Sequence, residues 1–302
     1  MVSKGLSPRW QNLHKLASST ARRLASASTV SHLPVSLRPI ADAQHAHVTF
    51  QQLLAEGGIS VITGGFEICV NAPGDVVASL TARFNSPEDG GRSFPPRLRF
   101  TVAHELAHTF FFQWEGNHRK PRALISGTHY AELESLEREC NDAAGLILVP
   151  EHLLVSVVEA GSLDVFDPMT IRGIADRFAA SVDCLIIRLR ALMASRDCGG
   201  GIFIVTLDTS PPEINACALD SAANQMFRTT GGQLDLERIT RDIPIPSGGQ
   251  ETARCEVQVP CRFGSRPAVQ QVSIAATRTS AFDSGQRSLV GIRLVGEPQL
   301  KG

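Results

Sequence analysis

One segment constrains this chain more than any other: Arg99-Phe100-Thr101-Val102-Ala103-His104-Glu105-Leu106-Ala107-His108-Thr109-Phe110-Phe111-Phe112. It reads as a buried helix that contains His-Glu-x-x-His. Residues four apart stand one above the other on a helix, so His104 and His108 present their imidazoles to one point, with Glu105 displaced to one side. Leu106, Ala107, Phe110, Phe111 and Phe112 make the helix apolar nearly all round, and two imidazoles and a carboxylate in such surroundings need a partner. Zn2+ suits them, because it accepts imidazole nitrogens and leaves a carboxylate near its bound water. The bland alternative is a core helix with two incidentally spaced histidines.

Composition narrows the class. The 302 residues are 43% hydrophobic and 20% charged, as in a soluble globular protein of one large domain or a few modules. A net charge of -1 gives the whole molecule no electrostatic reason to seek nucleic acid or an anionic membrane. Seven cysteines, at 69, 140, 184, 198, 217, 255 and 261, form no CxxC pairs and read as reduced thiols, which predicts a cytoplasmic protein. No uncharged apolar run is long enough to span a bilayer. Residues 1–41 carry Arg and Lys without Asp or Glu; this is read as a basic N-terminal arm and helix in preference to a transit peptide.

Periodicity predicts an amphipathic helix over 12–27, a second helical stretch from 35 to 46, and a short helix over 51–56 stopped by Gly57-Gly58. Residues 59–63, 66–70 and 79–84 read as three strands of a small antiparallel sheet. The His-Glu helix starts near Arg97, a loop follows over 113–128, and a long helix runs from about Tyr130 to Leu148, ending at Pro150. Two helical pieces flank Ala180-Ser181, and beyond Gly199-Gly200-Gly201 the strands predicted are 201–207, 255–261, 272–276 and 289–294. The fold class expected is α+β. The domains are a basic arm (1–29), a metal-binding domain (30–160), a helical segment (161–198) and a β-rich C-terminal domain (199–302).

A catalytic zinc needs a third protein ligand and an open position. On the long helix Glu137 and Asn141 are four apart, so Glu137 can reach the metal while Asn141 accepts a hydrogen bond from the outer N–H of a ligand histidine. Glu139 points elsewhere, and Glu134 is the nearest competitor.

Taken together, the segment from Arg99 to His108 and the later Glu137-x-x-Cys140-Asn141-x-Ala143-Ala144-x-Leu146-Ile147-Leu148-Val149-Pro150 resemble the ImmA/IrrE-type zinc metallopeptidases of bacteria and their mobile elements. Residues 33–73 are similar as well, so the resemblance covers about residues 30–195. It implies a zincin-like, thermolysin-like arrangement, with zinc on His104, His108 and Glu137 and with Glu105 as general base. Several relatives cleave a helix-turn-helix repressor and so release stress-response or mobile-element genes. The chain departs from the common pattern at Ala107, where glycine is frequent, and at Cys140 and Ala143, where alanine and an aromatic are usual.

Residues 170–190 also match the helix-turn-helix-like segment that such peptidases carry after the metal motif. Its second helix is largely Val182, Leu185, Ile186, Ile187 and Leu189, which favours packing or repressor docking over DNA binding. The candidates for an oxyanion donor are Tyr130, His118 and His129. A rival reading is a zinc-stabilised module that binds a repressor or DNA without cutting, but such a module has no use for a free Glu105. A third makes residues 200–302 a sensor-like domain, by analogy alone.

Overall fold

The computed structural model describes residues 19, 33–115, 118–121, 130–160, 164–194, 199–206, 213–227, 243–244, 252–263, 266–278 and 287–300. The helix predicted over 12–27 falls outside them but for Ser19. The protein is mixed α+β. It divides into two compact units, one reaching Ser156 and including Asp176–Ser181, the other holding Val157–Ala175 and the chain from Val182.

In the first unit, α1 (Arg38–Ala43) leads into β1 (Ala46–Gln51), followed by β2 (Gly57–Ile62) and β3 (Gly65–Asn71). The strand order is β1-β3-β2. The sheet is not the antiparallel one predicted: β1 runs parallel to β3, with Val48 opposite Ile68, and only β2 is antiparallel to it. The helix predicted over 51–56 is also absent. Val48 and Phe50 alternate with polar neighbours and are buried, which draws 46–51 into the sheet, and the few residues left before Gly57 are too short to nucleate a helix.

The strand predicted over 79–84 is instead part of helix α2 (Val77–Asn85). Its buried residues are Leu80 and Phe84, four apart on one helical face. The Phe84 ring meets Phe50 and Phe94 at centroid separations of 6.2 and 6.4 Å, and Phe50 meets Phe94 edge-on at 5.4 Å.

The His-Glu helix is α3 (Pro96–His108). Pro96 occupies its first turn, where a missing N–H costs nothing. A 3-10 turn (Thr109–Phe111) follows, and then β4 (Phe112–Glu115) pairs with β5 (His118–Pro121) as a hairpin inside the segment predicted to be loop. Helix α4 (Tyr130–Leu148) ends just before Pro150, which cannot continue it. Helix α3 packs on β2, β3 and α4, with Val102, Ala103, Leu106 and Ala107 fully buried.

Also fully buried on α3 is Arg99. Its guanidinium donates from Nη1 to the Gly91 carbonyl at 2.6 Å and from Nη2 to the Val35 carbonyl at 2.8 Å, so α3 is tied to two distant parts of the chain. Burial lowers its pKa to about 10.

Helices α5 (Glu151–Ala160), α6 (Pro168–Phe178) and α7 (Val182–Ala194) continue the chain. In the second unit, β6 (Gly200–Thr206), β7 (Glu213–Leu219), β8 (Thr252–Phe263), β9 (Arg266–Arg278) and β10 (Arg287–Leu300) form a five-stranded antiparallel sheet in the order β7-β6-β10-β9-β8. Phe203, Val205, Val272, Ile274, Val290 and Ile292 form its core. Helix α7 packs on β6 and β7, and its Leu185, Ile186 and Leu189 are buried. A short helix, α8 (Ser221–Phe227), is capped by the buried Asp220, whose carboxylate accepts from Ala223 N–H at 2.9 Å and from Gly200 N–H at 2.8 Å.

No single described helix is long and apolar enough to cross a membrane. Replacing Arg99 by Ala leaves a cavity, takes the donor from the buried Val35 carbonyl and leaves the Gly91 carbonyl only the long 3.4 Å bond from Phe94 N–H, which outweighs the relief of burying a charge. Urea denaturation should show a loss of about 3 kcal/mol, whereas Asp42→Ala, breaking an exposed ion pair with Arg38, should cost well under about 1 kcal/mol.

Candidate metal centre

The two helices that pack together, α3 and α4, each contribute polar side chains to one spot. On α3 the four-residue spacing stacks His104 and His108, with ring centroids 4.9 Å apart and planes at 79°. Their Nε2 atoms are 3.1 Å from each other. From α4, Glu137 brings one carboxylate oxygen to 3.0 Å from His104 Nε2 and the other to 3.6 Å from His108 Nε2. Among the described residues these three form the one group of His, Cys, Asp and Glu side chains able to hold a metal ion. Glu139 is buried and outside the group.

The donor set fits a metal on two grounds. Four tetrahedral ligands bonded at about 2.0 to 2.1 Å lie about 3.3 Å from one another; His104 Nε2 is 3.1 Å from His108 Nε2 and 3.0 Å from Glu137 Oε2, and one donor atom from each of the three residues lies within 4.8 Å of the others. The second ground is chemical. His104 Nδ1 lies 2.9 Å from Asn141 Oδ1, an oxygen that can only accept, so Nδ1 carries a proton and Nε2 is the nitrogen left to offer a lone pair to a metal. Burial, then the neighbouring His104, hold His108 well below the ordinary histidine pKa, so its ring is neutral. The donor atoms of two imidazoles and a carboxylate thus point at one another, and a cation placed among their lone pairs removes the repulsion between them. The His104, His108 and Glu137 group can hold a metal ion. The imidazole side chains are only 16% and 14% exposed while Glu137 is 52% exposed, so solvent reaches the group from the α4 side.

Glu105 follows His104 on the same helix and is buried. Burial raises its carboxyl pKa, His104 opposes the rise and Glu137 adds to it. Its carboxylate lies against β2: a Cβ added at Gly57 would stand 2.8 Å from Oε1 and 3.0 Å from Cγ of Glu105. Read from sequence, Gly57 is only a helix stop; its role here is the close approach of backbone to a carboxylate, which no local pattern signals.

Cys140, which departs from the family pattern and reads from sequence as a small buried thiol one turn from Glu137, is placed as that reading expects. It is fully buried, and its Sγ lies 3.3 Å from His108 Nδ1. Burial, with Glu137, Glu105 and Glu139 adding to it, pushes the thiol far up, so it is a neutral S–H.

Of the candidate oxyanion donors, His129 lies outside the described residues, and the side chains of His118 and Tyr130 do as well. Tyr130 is the first residue of α4 and His118 the first of β5.

Gly57→Ala should displace the Glu105 carboxylate and leave metal uptake by the His104, His108 and Glu137 group unchanged. A crystal structure of the variant reads the first, and metal analysis the second. Among known proteins, no family model matches the chain, and no curated protein matches it.

Proposed function

We propose that this protein is a zinc metallopeptidase of the ImmA/IrrE type, with a zincin-like catalytic unit. The observation that carries this reading is the convergence of His104, His108 and Glu137 with Glu105 held beside them on α3. Two imidazoles and one carboxylate are a donor set that zinc takes readily, with room for a further ligand. When bound, zinc supplies Lewis acidity towards a carbonyl and acidifies a water.

The chain's own residues then do the following. Glu105 accepts a proton from the attacking water and returns it to the amine nitrogen that leaves, while the C–O bond forms and the peptide C–N bond breaks. Its raised pKa suits that task, since a carboxyl shifted upwards from its ordinary value is a better proton acceptor and still gives the proton up to an amine. Strand β2 is one of the two edges of the three-stranded sheet, and its outer side pairs with no described strand. It passes Glu105 at Gly57 and leaves Val61 and Ile62 about half exposed (47% and 45%). An extended peptide can add to such an edge through backbone hydrogen bonds.

The substrate inferred from the resemblance is a helix-turn-helix repressor, in a stress-response or mobile-element switch. A zinc module that binds without cutting would leave the carboxylate of Glu105 with no task.

The test is cleavage of a helix-turn-helix protein encoded beside this chain. Glu105→Gln should lose cleavage by at least about a thousandfold and keep its zinc. Metal analysis should find zinc lost in His104→Ala and Glu137→Ala and kept in Glu139→Ala. Retained cleavage in Glu105→Gln refutes the general-base assignment.

A further inference from the structure

We propose that Cys140 is a positioning residue for His108: its sulfur accepts the Nδ1–H of that ring and so turns the Nε2 lone pair towards the metal. This rests on the metal reading above and adds to it a residue that neither the motif nor the spacing assigns.

The geometry is paired. One turn of α4 carries Glu137 and, three and four residues on, Cys140 and Asn141. Asn141 Oδ1 is 2.9 Å from Nδ1 of His104, and Cys140 Sγ is 3.3 Å from Nδ1 of His108, within reach of an N–H to sulfur hydrogen bond. The same helical turn therefore supplies one ligand and both outer partners of the other two. An imidazole nitrogen that binds a metal must be free of its proton, so the proton sits on the other nitrogen and needs an acceptor there. For His108 that nitrogen faces a fully buried residue, and the sulfur is its acceptor. Both outer partners, an amide and a thiol, are uncharged. A carboxylate in either place would increase the basicity of the ring, so the anionic charge of the donor set rests on Glu137 alone.

Zinc affinity of the purified full chain, measured by competition with a chromophoric chelator, tests this beside urea denaturation of the metal-free protein. Cys140→Ala removes the acceptor and should weaken zinc binding about 10- to 100-fold. Cys140→Ser restores an acceptor of similar size and should recover most of that loss. A purely structural role gives the opposite order, since Ala packs a buried apolar site at least as well as a hydroxyl does, and stability should follow that order. Equal affinities in all three proteins, or an affinity lower for Ser than for Ala, overturn the proposal. Nitrogen NMR of the unsubstituted protein provides a check independent of folding: the His108 proton should reside on Nδ1, and a proton on Nε2 in the zinc-loaded form overturns the assignment. An unsubstituted protein that takes up no zinc overturns the metal reading itself and this inference with it.

Discussion

Lone pairs that face one another in a half-dry place are the constraint on which the first unit turns. His104, His108 and Glu137 converge to within hydrogen-bonding distance, yet the outer nitrogen of each ring is already engaged, by Asn141 and by Cys140. Only a shared proton or a shared cation satisfies such an arrangement. The rest of the unit holds these atoms in place. The sheet backs α3, α4 packs on α3, and small buried residues, Ala103 and Ala107 on one helix and Ala143 and Ala144 on the other, belong to helices that come close together.

The second unit is organised on a different principle, a sheet that buries apolar side chains on both faces of β6 and has helix α7 packed on β6 and β7. Helix α7 is amphipathic in the ordinary sense, with Leu185, Ile186 and Leu189 buried and Arg190 exposed. Arg190 still reaches back from Nε to the Cys217 carbonyl at 3.2 Å, so its guanidinium is partly engaged by β7. Asp220 links the first residue of β6 to the first turn of α8 through one carboxylate, a junction that depends on two backbone N–H groups far apart in the chain. Ion pairs of Arg254 with Asp167 and of Arg293 with Asp164 tie the segment before α6 to β8 and β10.

Much of the first unit is legible in the sequence because helices convert spacing directly into shared faces. His104 with His108, and Glu137 with Asn141, need only the helical period to be placed together. Pro150 marks the end of α4 by its missing N–H. Where two periods compete, the reading fails. In 79–84, Leu80, Ala82 and Phe84 alternate like a strand, while Leu80 and Phe84 are also four apart, and packing of Phe84 against Phe50 and Phe94 decides for the helix. Parallel pairing of β1 with β3 leaves no local mark, since it depends on contacts between distant segments rather than on a turn. The approach of Gly57 to Glu105 and of Cys140 to His108 is tertiary in the same sense. A glycine beside a strand and a cysteine on a helix have many ordinary explanations until the partner is seen.

Arg99 joins residues whose separation along the chain is 64 on one side and 8 on the other. Closing a flexible loop of that greater length costs about 4 kcal/mol in chain entropy, which two charge-assisted hydrogen bonds, at about 1.5 to 3 kcal/mol each, barely offset. The guanidinium clasp makes the orientation of the histidine-bearing helix depend on a segment 64 residues earlier in the chain.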